Sequence, residues 1–466
     1  ELGLVPNLVV HPIFTTSRDS EGRLLAFECD DGGTTHKRRE SFIHLQIEKT
    51  RPRPSAREVE QALADVLARV RLVVGDFDAM TARLAKAIAA LERNPPPVPA
   101  EIEQEAIAFL RWLTADRFVF LGVREYDYVG DNETGQLLPR QDGLGLLRDM
   151  SVSILRREGE TDRLTPASRA YFLGSPPVTV GKANAVSTVH RRARMDTIGI
   201  KRYREDGSIA GQLRIAGLFA ATVYNAPTQE IPLLRLKTAE VFRSSGHSPD
   251  SYSGRSLANI LQTFPRDELF QISAAQLAEI ADEILKIELA PRPRVFVRRD
   301  DFERFVSVFV YVPRERYTTD VRIELARMLE EEFDGICDSF TPFFPESPMV
   351  RVHFAIWRKD RDLRAPSEPA LEAKVEAIVR TWSDDFCRLV LAHHGSEQGY
   401  RLIERYGNAF PADYRDANPP ARALEDIERI ERLGPSRQTD IDLHRDDLND
   451  PNRVRATMLQ LDKPLP

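Results

Sequence analysis

RVFVRRDDFERFVSVFVYVPRERYTTDVRIELARMLEEEFDGICDSFTPFFPESPMVRVHFAIW, residues 294–357, decides the fold class. Arg294–Arg298 and Phe305–Val312 are short runs rich in β-branched and aromatic residues and read as strands. Thr318 or Thr319 offers an N-cap hydroxyl to a helix in which Val321, Leu325, Met328, Leu329 and Phe333 recur on one face. Gly335–Phe344 and Met349–Trp357 follow as strands, the second alternating so that Val350, Val352, Phe354 and Ile356 share a side. With a helix at Ala274–Leu289 in front, the order is α-β-β-α-β-β. That order suits a ferredoxin-like sandwich, with helices over one face of an antiparallel sheet.

Working outward, the same alternation occurs upstream. Strand-rich stretches at about 6–49 and 117–225 precede the one at 294–357, separated by charged, Ala/Leu-rich sequence. In the first, Asn7–Phe14, Leu24–Phe27 and the alternating Ser41–Ile47 read as strands, and Glu1–Val5 reads as a helix end closed by Gly3 and Pro6. From Ser55 to Asn94, Val59, Leu63, Val66, Val70, Met80, Leu84, Ile88 and Leu91 keep helical spacing until Pro95–Pro97 stop it. In the second, Phe118–Val123 is a buried-strand candidate, and Asp196–Arg204 with Gln212–Tyr224 forms a hairpin about Asp206–Gly207. Helical sequence returns over Pro232–Leu289 and Leu371–Leu433, and Arg453–Leu461 opens a further strand.

The expected organisation is α+β and multidomain: a truncated first module at 1–50, a helical linker at 51–114, a second module at 115–228, a helical segment at 229–290, a third module at 291–360, a helical segment at 361–435, and the start of a further domain at 436–466. A chain of 466 residues is too long for one core. With 42% apolar and 29% charged residues it is expected to be globular, and no apolar run reaches bilayer-spanning length. No charged-then-apolar leader is present, and both ends fall within patterned sequence, as expected of a fragment. A net charge of −7 argues against general polyanion binding, which needs a basic surface to displace counterions. Cys29, Cys337 and Cys387 are isolated and odd in number, which suggests a reducing compartment rather than a disulfide framework.

Few motifs suggest chemistry. Gly143 and Gly145 lack the third glycine and the strand-to-helix junction of a dinucleotide loop, so they read as a turn. His393 and His394 are adjacent and would diverge on a helix, so no metal site is expected. The basic run Arg191, Arg192, Arg194, Lys201, Arg202 and Arg204 alternates with Ile198 and Ile200 and reads as the solvated face of a half-buried strand, with an anionic effector as the functional alternative. Arg266, Asp267 and Glu268 read as a helix start after Pro265. Arg314, Arg316, Tyr317, Thr319 and Asp320 lie between a strand and a helix N-terminus, where guanidinium groups and free N–H groups can hold a carboxylate. Together with Lys182, Asn184 and Arg191 they are the candidates for an amino-acid effector site.

An ordered set of strings carries a resemblance: RFVFLGVREYDY (117–128), KANAVSTVHR (182–191), DTIGIKRY (196–203), GLFAATVYN (217–225), EIPLLRLK (230–237), FPRDELFQI (264–272), RVFVRRDDFERFVSVFVYVPRERY (294–317) and ESPMVRVHF (346–354). Over about residues 6–435 the chain resembles the N-terminal half of the large bacterial NAD-specific glutamate dehydrogenases. The resemblance implies serial ACT-like sandwiches with mainly antiparallel sheets, separated by helical segments, in a cytoplasmic protein. It implies that this region is a non-catalytic regulatory and oligomerisation part, while the whole enzyme uses NAD to convert L-glutamate to 2-oxoglutarate and ammonia. The cofactor site and catalytic residues would lie C-terminal to Pro466, with no cofactor held here. A homo-oligomer, of which a tetramer is one form, and an amino-acid effector are the implied partners, with no nucleic acid and no membrane. The loop at Pro313–Arg316 departs from the Asp/Gly pattern of amino-acid-binding ACT modules, which leaves assembly at least as well supported as sensing. The rival readings are a stand-alone amino-acid sensor and an RNA-binding ferredoxin-like protein; the charge and the lack of an outward aromatic pattern at Arg304–Tyr311 oppose the latter.

Overall fold

The computed structural model describes residues 4, 6–28, 37–47, 54–152, 154, 164–358, 366–445 and 454–461. The helix end expected around Glu1–Gly3, Cys29, and Arg453 at the start of the last strand lie outside these residues. The chain divides into two compact units, one of residues 1–236 with 265–271 and one of residues 237–264 with 272–466.

The first unit opens with β1 (Pro6–Val10), β2 (Ile13–Arg18), β3 (Leu24–Glu28), β4 (Lys37–Ser41) and β5 (His44–Ile47). The expected Asn7–Phe14 strand is divided at Pro12, whose missing N–H cannot continue a ladder, so β1 pairs with β5 while β2 lies between β3 and β4. Apolar side chains of this region, such as Val9, Leu25 and Phe27, are more than half exposed. Helices α1 (Ala56–Gly75), α2 (Phe77–Arg93) and α3 (Ala100–Leu113) follow. A capping box starts α1: the Ser55 hydroxyl accepts from the Glu58 N–H while the Glu58 carboxylate accepts from the Ser55 N–H.

The second sheet comprises β6 (Phe118–Val129), β7 (Gln136–Pro139), β8 (Leu144–Gly145), β9 (Val178–Val186), β10 (Arg194–Tyr203) and β11 (Ile209–Phe219), with α4 (Pro166–Gly174) before β9. The order is β7-β6-β11-β10-β9, antiparallel throughout, with β8 also on β6. The hairpin about Asp206–Gly207 forms as expected, but β11 ends at Phe219 and Tyr224 belongs to a short helix, α5 (Ala221–Asn225). Gly143 and Gly145 serve β8 and its turn: Gly145 has φ 58°, and a Cβ there would meet the Leu121 carbonyl oxygen at 2.3 Å. Its N–H donates to Asp76 Oδ2 at 2.7 Å, and Arg148 beside Asp76 holds that buried carboxyl below its usual range despite burial.

The basic run lies on β10 and its flanking turns, and apart from the exposed Arg192 and Arg204 it is not a solvated face. Lys201 is buried, Arg194 donates to the Asn184 carbonyl at 2.7 Å, and Arg202 pairs with Asp127 at 2.5 Å. Ile198 and Ile200 are both fully buried, because β10 is central in its sheet and both of its faces are covered.

Helix α6 (Leu234–Ser245) leads into α7 (Tyr252–Thr263), α8 (Arg266–Gln271) and α9 (Ala274–Leu289). Beyond them lie β12 (Arg294–Arg299), β13 (Phe305–Pro313), α10 (Thr319–Phe333), β14 (Gly335–Phe343), β15 (Met349–Arg358), α11 (Glu368–Val379), α12 (Trp382–Tyr406), α13 (Ala412–Ala417), α14 (Pro420–Glu431), β16 (Thr439–Arg445) and β17 (Val454–Gln460). The third sheet has the order β12-β13-β15-β14, all antiparallel. One face, with Val306, Val308, Val310 and Val312 beside Val350, Val352, Phe354 and Ile356, packs on Leu325, Leu329 and Phe333 of α10 and on Leu371, Val375 and Val379 of α11. The helix paired with α10 in the sandwich is therefore α11, which follows the sheet, and not Ala274–Leu289 in front of it. The opposite face is covered as well: the Phe264 ring lies 4.9 Å from Phe309, and Arg351 donates to the Thr263 carbonyl at 2.7 Å. A strand hydrophobic at every position, as Phe305–Val312 nearly is, needs cover on both sides. At the sheet edge, carboxylates of α11 accept backbone N–H groups of β12, from Val295 to Glu372 at 3.2 Å and from Val297 to Glu368 at 2.9 Å.

Replacing Phe354, fully buried between α10 and the sheet, by Ala is expected to cost about 3–5 kcal/mol, read as a lower urea midpoint at unchanged slope. A loss under about 1 kcal/mol would mean that this face is not a packed core.

Candidate functional site

The most concentrated polar chemistry in the first unit gathers around Lys182. On β9, Lys182 lies directly across from Asp196 on β10, and its ammonium donates to Asp196 Oδ1 at 2.6 Å. A second carboxylate reaches the same nitrogen: Asp267 Oδ2, on α8, stands 2.9 Å away. The Tyr224 hydroxyl of α5 donates to Asp267 Oδ1 at 3.1 Å, and the Phe219 N–H donates to Asp196 Oδ2 at 3.1 Å. Arg191 closes the circuit by donating to the Phe219 carbonyl at 3.0 Å. Strands β9 and β10, the end of β11, α5 and α8 are thus joined through a single ammonium.

The electrostatics follow from burial. Asp196 is 2% exposed, and loss of water together with the charge of Asp267 pushes its carboxyl up, against the pull of Lys182. Burial alone would lower the Lys182 ammonium, but its two carboxylates more than offset that and hold it above its ordinary range. Burial, then Asp267 and Asp196, likewise drive the Tyr224 phenol upward. A lysine held protonated between two carboxylates is a poor nucleophile and a poor base, so the arrangement suits a charge-balanced anchor rather than covalent catalysis.

The sequence candidates separate into two places. Lys182 and Arg191 enter this network, and Asn184 lies two residues along β9, its N–H donating to the Ile154 carbonyl at 3.0 Å. Arg314, Arg316, Tyr317, Thr319 and Asp320 surround the start of α10 in the second unit. Thr318, not Thr319, is the N-cap, accepting from the Val321 N–H at 3.2 Å. Arg316 is forked onto Asp384, at 2.6 and 3.2 Å, and Arg314 donates to the Pro345 carbonyl. The Tyr317 ring packs edge-on to Phe344 at 5.6 Å, while Thr319 and Asp320 face solvent. The guanidinium groups expected to receive a ligand carboxylate therefore already serve acceptors within the chain.

Asp196 and Tyr224 were not singled out from the sequence, and Asp267 was singled out only as part of a helix start. The available signal was Asp196 two residues before the apolar positions Ile198 and Ile200 of the same strand face, where a charge in a core register demands a partner. Asp267 reads as an ordinary helix-start residue, and nothing local shows that α8 packs against the second sheet.

Lys182→Met leaves the buried Asp196 and the half-buried Asp267 without their cation and is expected to cost about 3–5 kcal/mol, with part recovered in the Lys182→Met/Asp196→Asn double variant. A cost no larger than that of a surface change would show that the network carries no stability. Lys201 gives a pH dependence. Burial lowers its ammonium to about 8, although it donates to the Ser175 carbonyl at 2.6 Å. An unfolded lysine keeps its proton to about pH 10.4. Between about 8 and that value the unfolded chain binds more protons, so stability rises with pH. The stability of the wild type relative to Lys201→Met is expected to increase across this window in urea titrations, and a flat difference would contradict the burial argument.

Comparison with known proteins gives these sites their family context. Four glutamate dehydrogenase family models match in chain order: the ACT1 domain over residues 1–63, helical motif 1 over 231–289, the ACT2 domain over 294–383 and helical motif 2 over 389–433. Asp267 falls in helical motif 1 and the Arg314–Asp320 loop in ACT2, whereas Lys182 and Asp196 lie between the matched segments. The NAD-specific glutamate dehydrogenase of Halomonas elongata is 32% identical over 95% of this chain, that of Pseudomonas aeruginosa 32% over 91%, and that of Mycobacterium tuberculosis 30% over 93%. The chain covers 28%, 26% and 26% of those proteins, so it spans about a quarter of their length rather than the half that the sequence resemblance implied. No helix among the described residues is long and apolar enough to cross a membrane. With both ACT domains and both helical motifs in order, and identity sustained across nine-tenths of its length, the chain belongs to the glutamate dehydrogenase family, in the region that carries these domains.

Proposed function

We propose that this chain is the regulatory and oligomerisation region of an NAD-specific glutamate dehydrogenase, without catalytic residues of its own. In this reading the whole protein is a cytoplasmic homo-oligomer that transfers hydride from L-glutamate to NAD, yielding 2-oxoglutarate and ammonia. Cofactor binding and chemistry belong to sequence outside residues 1–466. The observation that carries the proposal is the chain order ACT1, helical motif 1, ACT2, helical motif 2. It is supported by the use of the candidate polar groups: Lys182 is held protonated by two aspartates, and Arg314 and Arg316 are committed to Pro345 and Asp384.

Assembly is the better-supported half of the role. At the head of α10 Arg316 is paired with Asp384 and Arg314 is engaged by the Pro345 carbonyl, which favours a packing function over capture of an amino-acid carboxylate. RNA binding draws no support from the third sheet, because base stacking on a ferredoxin-like sheet needs an open face and both faces here carry helices.

The purified chain, supplied with L-glutamate and NAD, is expected to produce no NADH absorbance, while light scattering reports a mass above that of the 52.9 kDa monomer. Turnover by the chain would refute the non-catalytic assignment. A strictly monomeric species that binds amino acids tightly by calorimetry would favour the stand-alone sensor instead.

A further inference from the structure

Helix α12 is interrupted at Gly395, which has φ 72° and ψ 175°, a conformation that side-chain-bearing residues avoid. Two neighbours expected to diverge stand immediately before the break. The His393 and His394 rings lie 4.8 Å apart at 81° to one another. Helix α14 packs alongside and presents Glu428, whose Oε1 is 3.0 Å from His393 Nε2. One donor atom from each of His393, His394 and Glu428 can be chosen so that all lie within 4.8 Å of one another. The Nε2 of His394 is buried and has no hydrogen-bond partner. An imidazole nitrogen out of water and without a partner is costly, and a metal ion is one of the few ligands that would satisfy it in place.

We propose that His393, His394 and Glu428 form a site for a divalent transition metal of the zinc class, with water completing the coordination. Two imidazole nitrogens and one carboxylate are a borderline-soft set that favours Zn²⁺ over Mg²⁺ or Ca²⁺, which prefer all-oxygen shells. Bonds of about 2.0–2.2 Å place tetrahedral donors about 3.3 Å apart, so side-chain rotation alone closes the observed spread around an ion. His393 is 58% exposed at its side chain, which gives the ion a path in and leaves a coordination position for water. Once bound, the ion replaces the direct His393–Glu428 contact and ties α12 to α14 at the break in α12, fixing the local geometry of helical motif 2.

The test is calorimetric titration of the chain with Zn²⁺, beside Co²⁺ absorption as a report on the donors. One equivalent is expected to bind, unaffected by excess Mg²⁺, with a tetrahedral cobalt spectrum free of thiolate charge-transfer bands. His394→Ala and Glu428→Gln are each expected to weaken binding at least tenfold while retaining the wild-type far-ultraviolet circular dichroism. Glu428→Gln is nearly isosteric and keeps the result interpretable should His394→Ala unfold α12. Failure of the wild type to bind Zn²⁺, or equal affinity in the wild type and Glu428→Gln, would overturn the proposal. Thiolate bands would overturn it too, by placing the ion on one of the three cysteines, Cys29, Cys337 or Cys387.

Discussion

Burial of the third sheet on both faces is the constraint on which the second unit depends. Val306, Val308, Val310 and Val312 need one set of helices, and Phe309 with its neighbours on the same strand needs another. No single helix can serve both, so sequence on either side of the sheet must fold back over it. Around the third sheet, segments that first look like spacers are the second half of its core. This accounts for helical motifs alternating with ACT domains along the chain: α7 and α9 precede the sheet and lie on one face, while α10 and α11 lie on the other.

The first unit meets a related demand with charge. Strand β10 carries Asp196 and Lys201 into the interior and the edge strand β9 brings Lys182 against Asp196, so that each charge must find partners or be lost. The three-way meeting of Lys182, Asp196 and Asp267 draws α8, from far along the chain, onto the second sheet. Residues 265–271 accordingly belong to the first unit although the sequence on both sides of them belongs to the second. A buried ion pair is weak evidence for stability in itself, since apolar replacements of the same shape can do as well. Its effect here is specificity, because only one placement of α8 brings a carboxylate to that ammonium.

How much was legible follows from the range of the interactions. Alternation in Met349–Trp357 and the helical stripe from Val321 to Phe333 are local patterns, and the strands and helix lie where those patterns put them. The N-cap at Thr318 and the hairpin at Asp206–Gly207 were local too. The pairing of helices with sheets was not, because α9 and α11 are both amphipathic and neither sequence says which face it will cover. Pro12 was the overlooked local signal, dividing one expected strand into two that join different sheets. The basic run from Arg191 to Arg204 was misread for a tertiary reason: its alternation resembled that of a strand with one wet face, but both faces are enclosed. The adjacent histidines were expected to diverge, yet their rings lie 4.8 Å apart, and Glu428 reaches them from α14, a tertiary contact that no local pattern shows.

The carboxylates of Glu368 and Glu372 on the β12 margin have a consequence for stoichiometry. Occupied by side chains of its own α11, that margin has two N–H groups already taken and is a poor template for a foreign strand. The margin left on this sheet is β14, where Pro342 supplies no donor and shortens the usable row. A sheet with one address for strand addition cannot polymerise through it, because an open strand-to-strand chain needs a free margin on both sides of every copy.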